Sequence, residues 1–207
     1  MNQRLRTALI LLGLFLAAWL PRVMVLDAFV TIDERKWLAR SANFTQALSS
    51  GDLANTFQRE HPGVTIMWAG TLGLLSEYPE YAQDAPGQFA WAREDFEAWL
   101  TENTDLTPLA LLAAARWWMA LAIALAIAVS FWPLRRLLGE RIALFTTLYL
   151  AWTPFFIGLS RQLHLDGLVS ALSVLALLNI PLGTALGVYS IWVLVQDETA
   201  KLFGPCC

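Results

Sequence analysis

Residues Leu109 to Trp132 read LALLAAARWWMALAIALAIAVSFW, with Arg116 as their one charge. As a helix this run is about 36 Å long, enough to cross the roughly 30 Å hydrocarbon layer of a bilayer. Working outward, Thr7 to Val25 is a second apolar run behind Arg4 and Arg6, and Ile142 to Leu159 is a third with Pro154 near its far end. A fourth begins at Leu168 and continues to Val195 with Pro181, Gly183 and Gly187 inside, so one helix is expected to end or kink near Pro181. The pattern predicts an all-α, multi-pass transmembrane protein with about four spanning helices.

Composition agrees. Of 207 residues 57% are hydrophobic and only 15% charged, well under the quarter usual in soluble domains. A net charge of −3 without a basic stripe argues against nucleic acid as a partner. Cys206 and Cys207 close the chain, so no distributed thiol ligands or disulfide framework exist, and no polybasic segment precedes them as a lipidation signal would require. A cleaved signal peptide competes for the first run, but no A-x-A site closes it, and Pro21, Arg22 and Asp27 extend it as a helix with a polar outer end.

Charge segregation sets the expected orientation. Arg4 and Arg6 precede the first run, and Arg135, Arg136 and Arg141 lie between the second and third, whereas Thr31 to Asp105 holds 12 acidic and 5 basic residues. The positive-inside rule places the basic clusters and the N-terminus in the cytoplasm and the acidic segment outside, in an integral plasma-membrane protein. The chain then divides into a first membrane helix (1–30), an outer loop (31–107), three further membrane helices (108–195) and a short tail (196–207). Within the loop, Trp37, Ser41, Phe44 and Leu48 recur at helical spacing over Glu34 to Leu48. Phe89, Ala92, Phe96, Trp99 and Leu100 do so over Gly87 to Leu100. Both segments are expected to lie on the membrane surface. Val64 to Leu75 between them is too short to span and is expected to be interfacial or re-entrant. Asn43-Phe44-Thr45 is a glycosylation sequon, meaningful only in a eukaryotic secretory route.

Charged residues at the membrane edge are costly and tend to have a task. On the outer side these are Asp33, Glu34, His61, Arg116, Arg161, His164 and Asp166. Singly, each has a structural reading: Asp33 and Glu34 start a helix, Asp166 caps the fourth run, and Arg116 snorkels to the surface. Together, carboxylates at the outer end of the first helix facing two arginines suit group transfer from a phosphate-linked donor, with a carboxylate as base and guanidinium groups on the leaving phosphate.

The order Asp33-Glu34-x-x-Trp37-x-x-Arg40, Gly51-Asp52, His61-Pro62-Gly63, Ala115-Arg116 opening a spanning helix, and Ser160-Arg161 five before Asp166 resembles the N-terminal part of the GT-C membrane glycosyltransferases. The likeness is greatest to the protein O-mannosyltransferase and aminoarabinose-transferase-like branch and covers about Leu5 to Leu178. It implies transfer of a sugar from a polyprenyl-phosphate donor in the membrane to a protein or glycan acceptor outside. By the same resemblance Asp33 and its neighbour Glu34 are catalytic, while Arg116, Arg161, His164, Asp166 and His61 bind substrate. Some relatives hold a divalent cation, although these residues show no ligand spacing here. Family members have many more spanning helices, so the resemblance also implies a fragment, as from a truncated or frameshifted gene. The competing expectations are a non-catalytic membrane protein binding lipid or a partner, and a transporter fragment. The transporter reading lacks an inverted repeat or a pair of broken helices in matching positions.

Overall fold

The computed structural model describes residues 2–58, 63–89 and 93–178, and among these every regular element is helical. In chain order they are α1 (Gln3–Val23), α2 (Ile32–Ser49), a 3-10 turn (Leu53–Thr56), α3 (Val64–Glu77), α4 (Tyr81–Asp84) and α5 (Arg93–Asn103). These are followed by α6 (Pro108–Leu138), α7 (Glu140–Trp152), α8 (Pro154–Ser160) and α9 (Leu165–Leu178).

The long helix α6 is the axis of the fold. Thr107 caps it by accepting from the Ala110 N–H, and Pro108, whose missing N–H has no intrahelical partner to lose, opens it. It runs past the apolar edge at Trp132 to Leu138, because Arg135 and Arg136 suit the negative end of a helix, and it stops at Gly139, whose φ of +83° favours glycine. Its alanines Ala115, Ala120 and Ala124 are fully buried and let neighbours come close. Helices α1, α3, α7 and α9 pack around it.

Among the described residues two helices, α1 and α6, are long and apolar enough to cross a membrane. The third expected run is broken at Thr153-Pro154 into α7 and α8, bent by 59°, so it makes a span only if the bent pair counts as one. Proline at position 154 removes a ladder donor and sets the break where the apolar pattern alone runs on. The fourth run starts as α9; its continuation to Val195, the bend expected at Pro181 and the tail lie outside the described residues.

The ends of the bundle are sorted by charge. Arg6 pairs with Glu140, and Arg135 reaches both Glu140 at 3.2 Å and Thr7 Oγ1 at 3.3 Å, so the basic clusters of the N-terminus and of the α6–α7 turn share one end. The C-terminal end of α1 and the starts of α2 and α6 lie at the other.

Helix α2 forms where periodicity places it and α3 where the short apolar run lies, but the apolar stripe of α2 is turned into the protein. Trp37, Ser41 and Phe44 are buried. Ser41 meets Gly70 of α3 so closely that a Cβ there would lie 2.0 Å from its Oγ, and Thr45 and Thr71 hydroxyls are 2.8 Å apart. In turn α3 lies against α6, with Gly73 on the Ala115 backbone, where a Cβ would be 2.4 Å from the amide nitrogen. Two glycines one turn apart thus bring three helices into contact. Gly87 to Phe89 are not helical, although the pattern suggests a start at Gly87, and α5 is described from Arg93. Phe89 precedes it and still packs on Phe96 and Trp99, at ring distances of 5.4 and 5.6 Å.

The sequon is folded into the protein. Asn43 Nδ2 donates to the Phe89 carbonyl at 3.0 Å and its Oδ1 accepts from the Phe89 N–H at 2.8 Å, while Thr45 is buried against Thr71. The amide holds a loop and cannot receive a glycan in the folded protein.

Candidate functional site

The site grows from the sequence T-I-D-E at the start of α2. Thr31 is the N-cap and Glu34 stands three residues on, the spacing of a reciprocal capping box. Both halves form: the Thr31 hydroxyl accepts from the Glu34 N–H at 3.3 Å, and Glu34 Oε2 accepts from the Thr31 N–H at 3.0 Å. The box aims the Glu34 carboxylate inward, where it is fully buried, and leaves Asp33 facing out with a side chain 58% exposed.

Arg116 comes to meet it from the third turn of α6. Its Nε donates to Glu34 Oε1 and its Nη2 to Oε2, both at 2.7 Å, a bidentate pair with almost no access to water. Glu34 Oε1 also accepts from the Leu163 N–H at 2.8 Å. Burial alone would push this carboxyl up, but the Arg116 guanidinium and the Thr31 and Leu163 amides outweigh it and hold it below the usual carboxylate range. The remaining Arg116 donors go to the carbonyls of Leu26, Ala28 and Phe29, the last two at 3.0 and 2.6 Å. All five N–H groups of that guanidinium are therefore used by protein acceptors.

Arg161, directly after α8, is held differently. Its Nη2 donates to the carbonyls of Met24 and Val25, the latter at 2.6 Å, and among the described residues no carboxylate pairs with it. Between the two arginines is a pocket of about 210 Å³ walled by Val25, Leu26, Phe29, Gly158 and Gln162 as well. Glu34 neutralises Arg116, so the pocket carries one uncompensated positive charge, that of Arg161.

The other expected residues stand around this pair. Asp33 is bonded to Lys36 at 3.0 Å, and that ammonium holds its carboxyl below the usual range, with a smaller pull from His164. His164 Nδ1 lies 3.3 Å from Asp166 Oδ2. The structure thus brings Glu34, Arg116, Arg161 and the segment Met24 to Phe29 together directly, while Asp33 and His164, next in sequence to Glu34 and Leu163, are not part of the described pocket wall. His61 lies outside the described residues. Among the described residues no three His, Cys, Asp or Glu side chains converge, so the donor set does not make a cation site and no chemical step is routed through one.

One positioning residue is not legible as such in the sequence. Arg22, in the last turn of α1, is fully buried. Its Nε donates to Ser160 Oγ at 2.7 Å and its Nη1 to the Ala151 carbonyl at 2.9 Å, and its guanidinium lies 5.3 Å from the Phe156 ring centroid. It ties the end of α7 and the end of α8 to α1, and so fixes the residue that follows Ser160, which is Arg161. The available signal is an arginine beside a proline inside an apolar run, Leu20-Pro21-Arg22-Val23.

Comparisons of the chain with protein-family models, with curated proteins and with solved structures find no match.

Proposed function

We propose that this chain is, or supplies the first helices of, a multi-pass membrane glycosyltransferase that moves a sugar from a polyprenyl-phosphate donor to a hydroxyl acceptor at the outer face. In this reading α1, α6, the bent α7–α8 pair and the helix begun by α9 are the four spans, the segment from α2 to α5 is the outer loop, and the N-terminus is cytoplasmic. The observation that carries it is Arg161, a cation without a carboxylate partner among the described residues, lining a pocket at the end of a bundle that has helices of membrane-crossing length.

The acceptor oxygen attacks the anomeric carbon, the bond from that carbon to the phosphate oxygen breaks, and the lipid phosphate leaves with the bonding electrons. Arg161 stabilises the charge on the leaving phosphate. Asp33, ionised beside Lys36, takes the hydroxyl proton at its free oxygen. Glu34 and Arg116 hold the frame, since their hydrogen-bonding capacity is spent on each other and on backbone. His164 and Asp166 flank the rim, and a protein or glycan would approach from the water side.

The test is transfer from a radiolabelled polyprenyl-phosphate sugar in membranes. Asp33→Asn is expected to stop transfer and keep donor binding, and Arg161→Ala to weaken both. Full transfer by Asp33→Asn overturns the catalytic assignment. Among the described residues the pocket wall contains no carboxylate, which favours a second reading: a non-catalytic protein that binds an anionic lipid there. Donor binding that survives Asp33→Asn, with no transfer by the wild type, selects that reading.

A further inference from the structure

The segment that joins α1 to α2 is bent against its own preferences. Val25 has φ +57° and Phe29 φ +51°, and neither is glycine. A β-branched residue in the left-handed region is an outlier, and such strain persists only where surroundings hold it. Two arginines hold it: the carbonyls of Met24 and Val25 point at Arg161, and those of Leu26, Ala28 and Phe29 at Arg116. The side chains give little in return, since Met24 and Val25 are each 63% exposed and Phe29 is 78% exposed.

The two grips are unequal. Arg116 is anchored by its buried pair with Glu34. Arg161 has no such anchor, and two backbone oxygens occupy its Nη2, one of the three nitrogens through which it would meet an anion in the pocket.

We propose that Met24 to Val25 is a latch, a stretch of strained backbone whose carbonyls hold Arg161 by its Nη2 until a phosphate group displaces them. The inference rests on the phosphate-binding reading above and adds its regulation. When the phosphate enters, Arg161 turns from the carbonyls of Met24 and Val25 to the anion, and Val25 relaxes to negative φ. The grip of Arg116 on Leu26, Ala28 and Phe29 stays and acts as the fixed end. Strain at Val25 keeps the closed form shallow, so a single charge-assisted contact can open it.

Two exposed-site variants bias the latch in opposite directions. Asparagine tolerates the left-handed region, so Val25→Asn stabilises the closed form, by a factor that reaches about tenfold if most of the strain is relieved. Proline fixes φ near −65°, so Val25→Pro forbids the closed form. Met24 before it is already extended, with φ −75° and ψ 127°, as a residue preceding proline must be.

The experiment uses the 207-residue protein in phosphatidylcholine nanodiscs, with a fluorescent polyprenyl phosphate or inorganic phosphate as probe and with hydrogen exchange followed over 24–30. Expected are faster exchange in that segment on adding polyprenyl phosphate, weaker binding by Val25→Asn and tighter binding by Val25→Pro. Release by inorganic phosphate alone assigns the opener to the phosphate group, and release only by the lipid assigns it to phosphate plus tail; either supports the latch. Binding with unchanged exchange, or the two variants shifting affinity the same way, overturns the latch and leaves the phosphate-binding reading intact. No binding by the wild type or by Val25→Pro overturns both.

Discussion

Glu34 and Arg116 are 82 residues apart in the chain and share two parallel hydrogen bonds of 2.7 Å in the interior. The pair joins α2 to α6, and through the Leu163 amide it also fixes the turn that carries Arg161. Removing one partner would leave the other charged, buried and unpaired. Arg116→Met is therefore expected to destabilise the protein by about 3–5 kcal/mol, with Glu34→Gln milder because an amide keeps part of the bonding. Denaturant unfolding in detergent micelles measures both.

The same pair gives the fold an acid limit. Glu34 has its folded pKa held below the ordinary glutamate value of 4.5, so its contribution to stability is complete above that value and is lost as pH falls through the folded pKa. Thermal midpoints of the wild type are expected to fall below about pH 4.5 more steeply than those of Glu34→Gln. Parallel acid limbs for the two proteins would contradict this.

Gly70 tests the contact between α2 and α3. Gly70→Ala puts a methyl 2.0 Å from Ser41 Oγ and 2.4 Å from its Cβ, but 3.9 Å from its Cα. The clash is with a side chain alone. The single variant is expected to lose about 1–3 kcal/mol, and Ser41→Gly in the same chain to restore part of it. Gly73→Ala meets the Ala115 backbone itself, at 2.4 and 2.6 Å, and no neighbouring truncation should rescue it.

Asn43→Ala frees both backbone groups of Phe89 and should loosen the segment before α5. A loss of about 1–3 kcal/mol, with faster proteolysis near Gly87, is the expected result. Expression in a eukaryotic secretory system should give no glycan on the folded wild type.

Orientation is open to labelling by a membrane-impermeant thiol reagent. Ser50→Cys should react in intact cells, and Leu138→Cys, at the end that carries Arg6 and Arg135, only after permeabilisation. Leu138 is 49% exposed, and it is preferable to Gly139, whose φ of +83° would strain any replacement. The opposite pattern would invert the proposed topology.

What the sequence determined by itself is the set of helices. Apolar length sets α1 and α6, and the 3.6-residue recurrence of Trp37, Ser41 and Phe44 sets α2, because these signals are local and each helix satisfies its own backbone. The residues of the capping box stand in the sequence as Thr31-Ile32-Asp33-Glu34, but that Glu34 aims inward and Asp33 outward is seen only in the structure. Tertiary structure alone decided that Arg116 is spent on Glu34 and three carbonyls, that Arg161 has no carboxylate among the described residues, and that Arg22 pins the broken α7–α8 pair. A guanidinium has the same five donors wherever it sits, and which acceptors meet them depends on residues about 80 to 140 positions away, brought within reach by helices packing through Gly70, Gly73 and the alanines of α6. No local pattern encodes that distance.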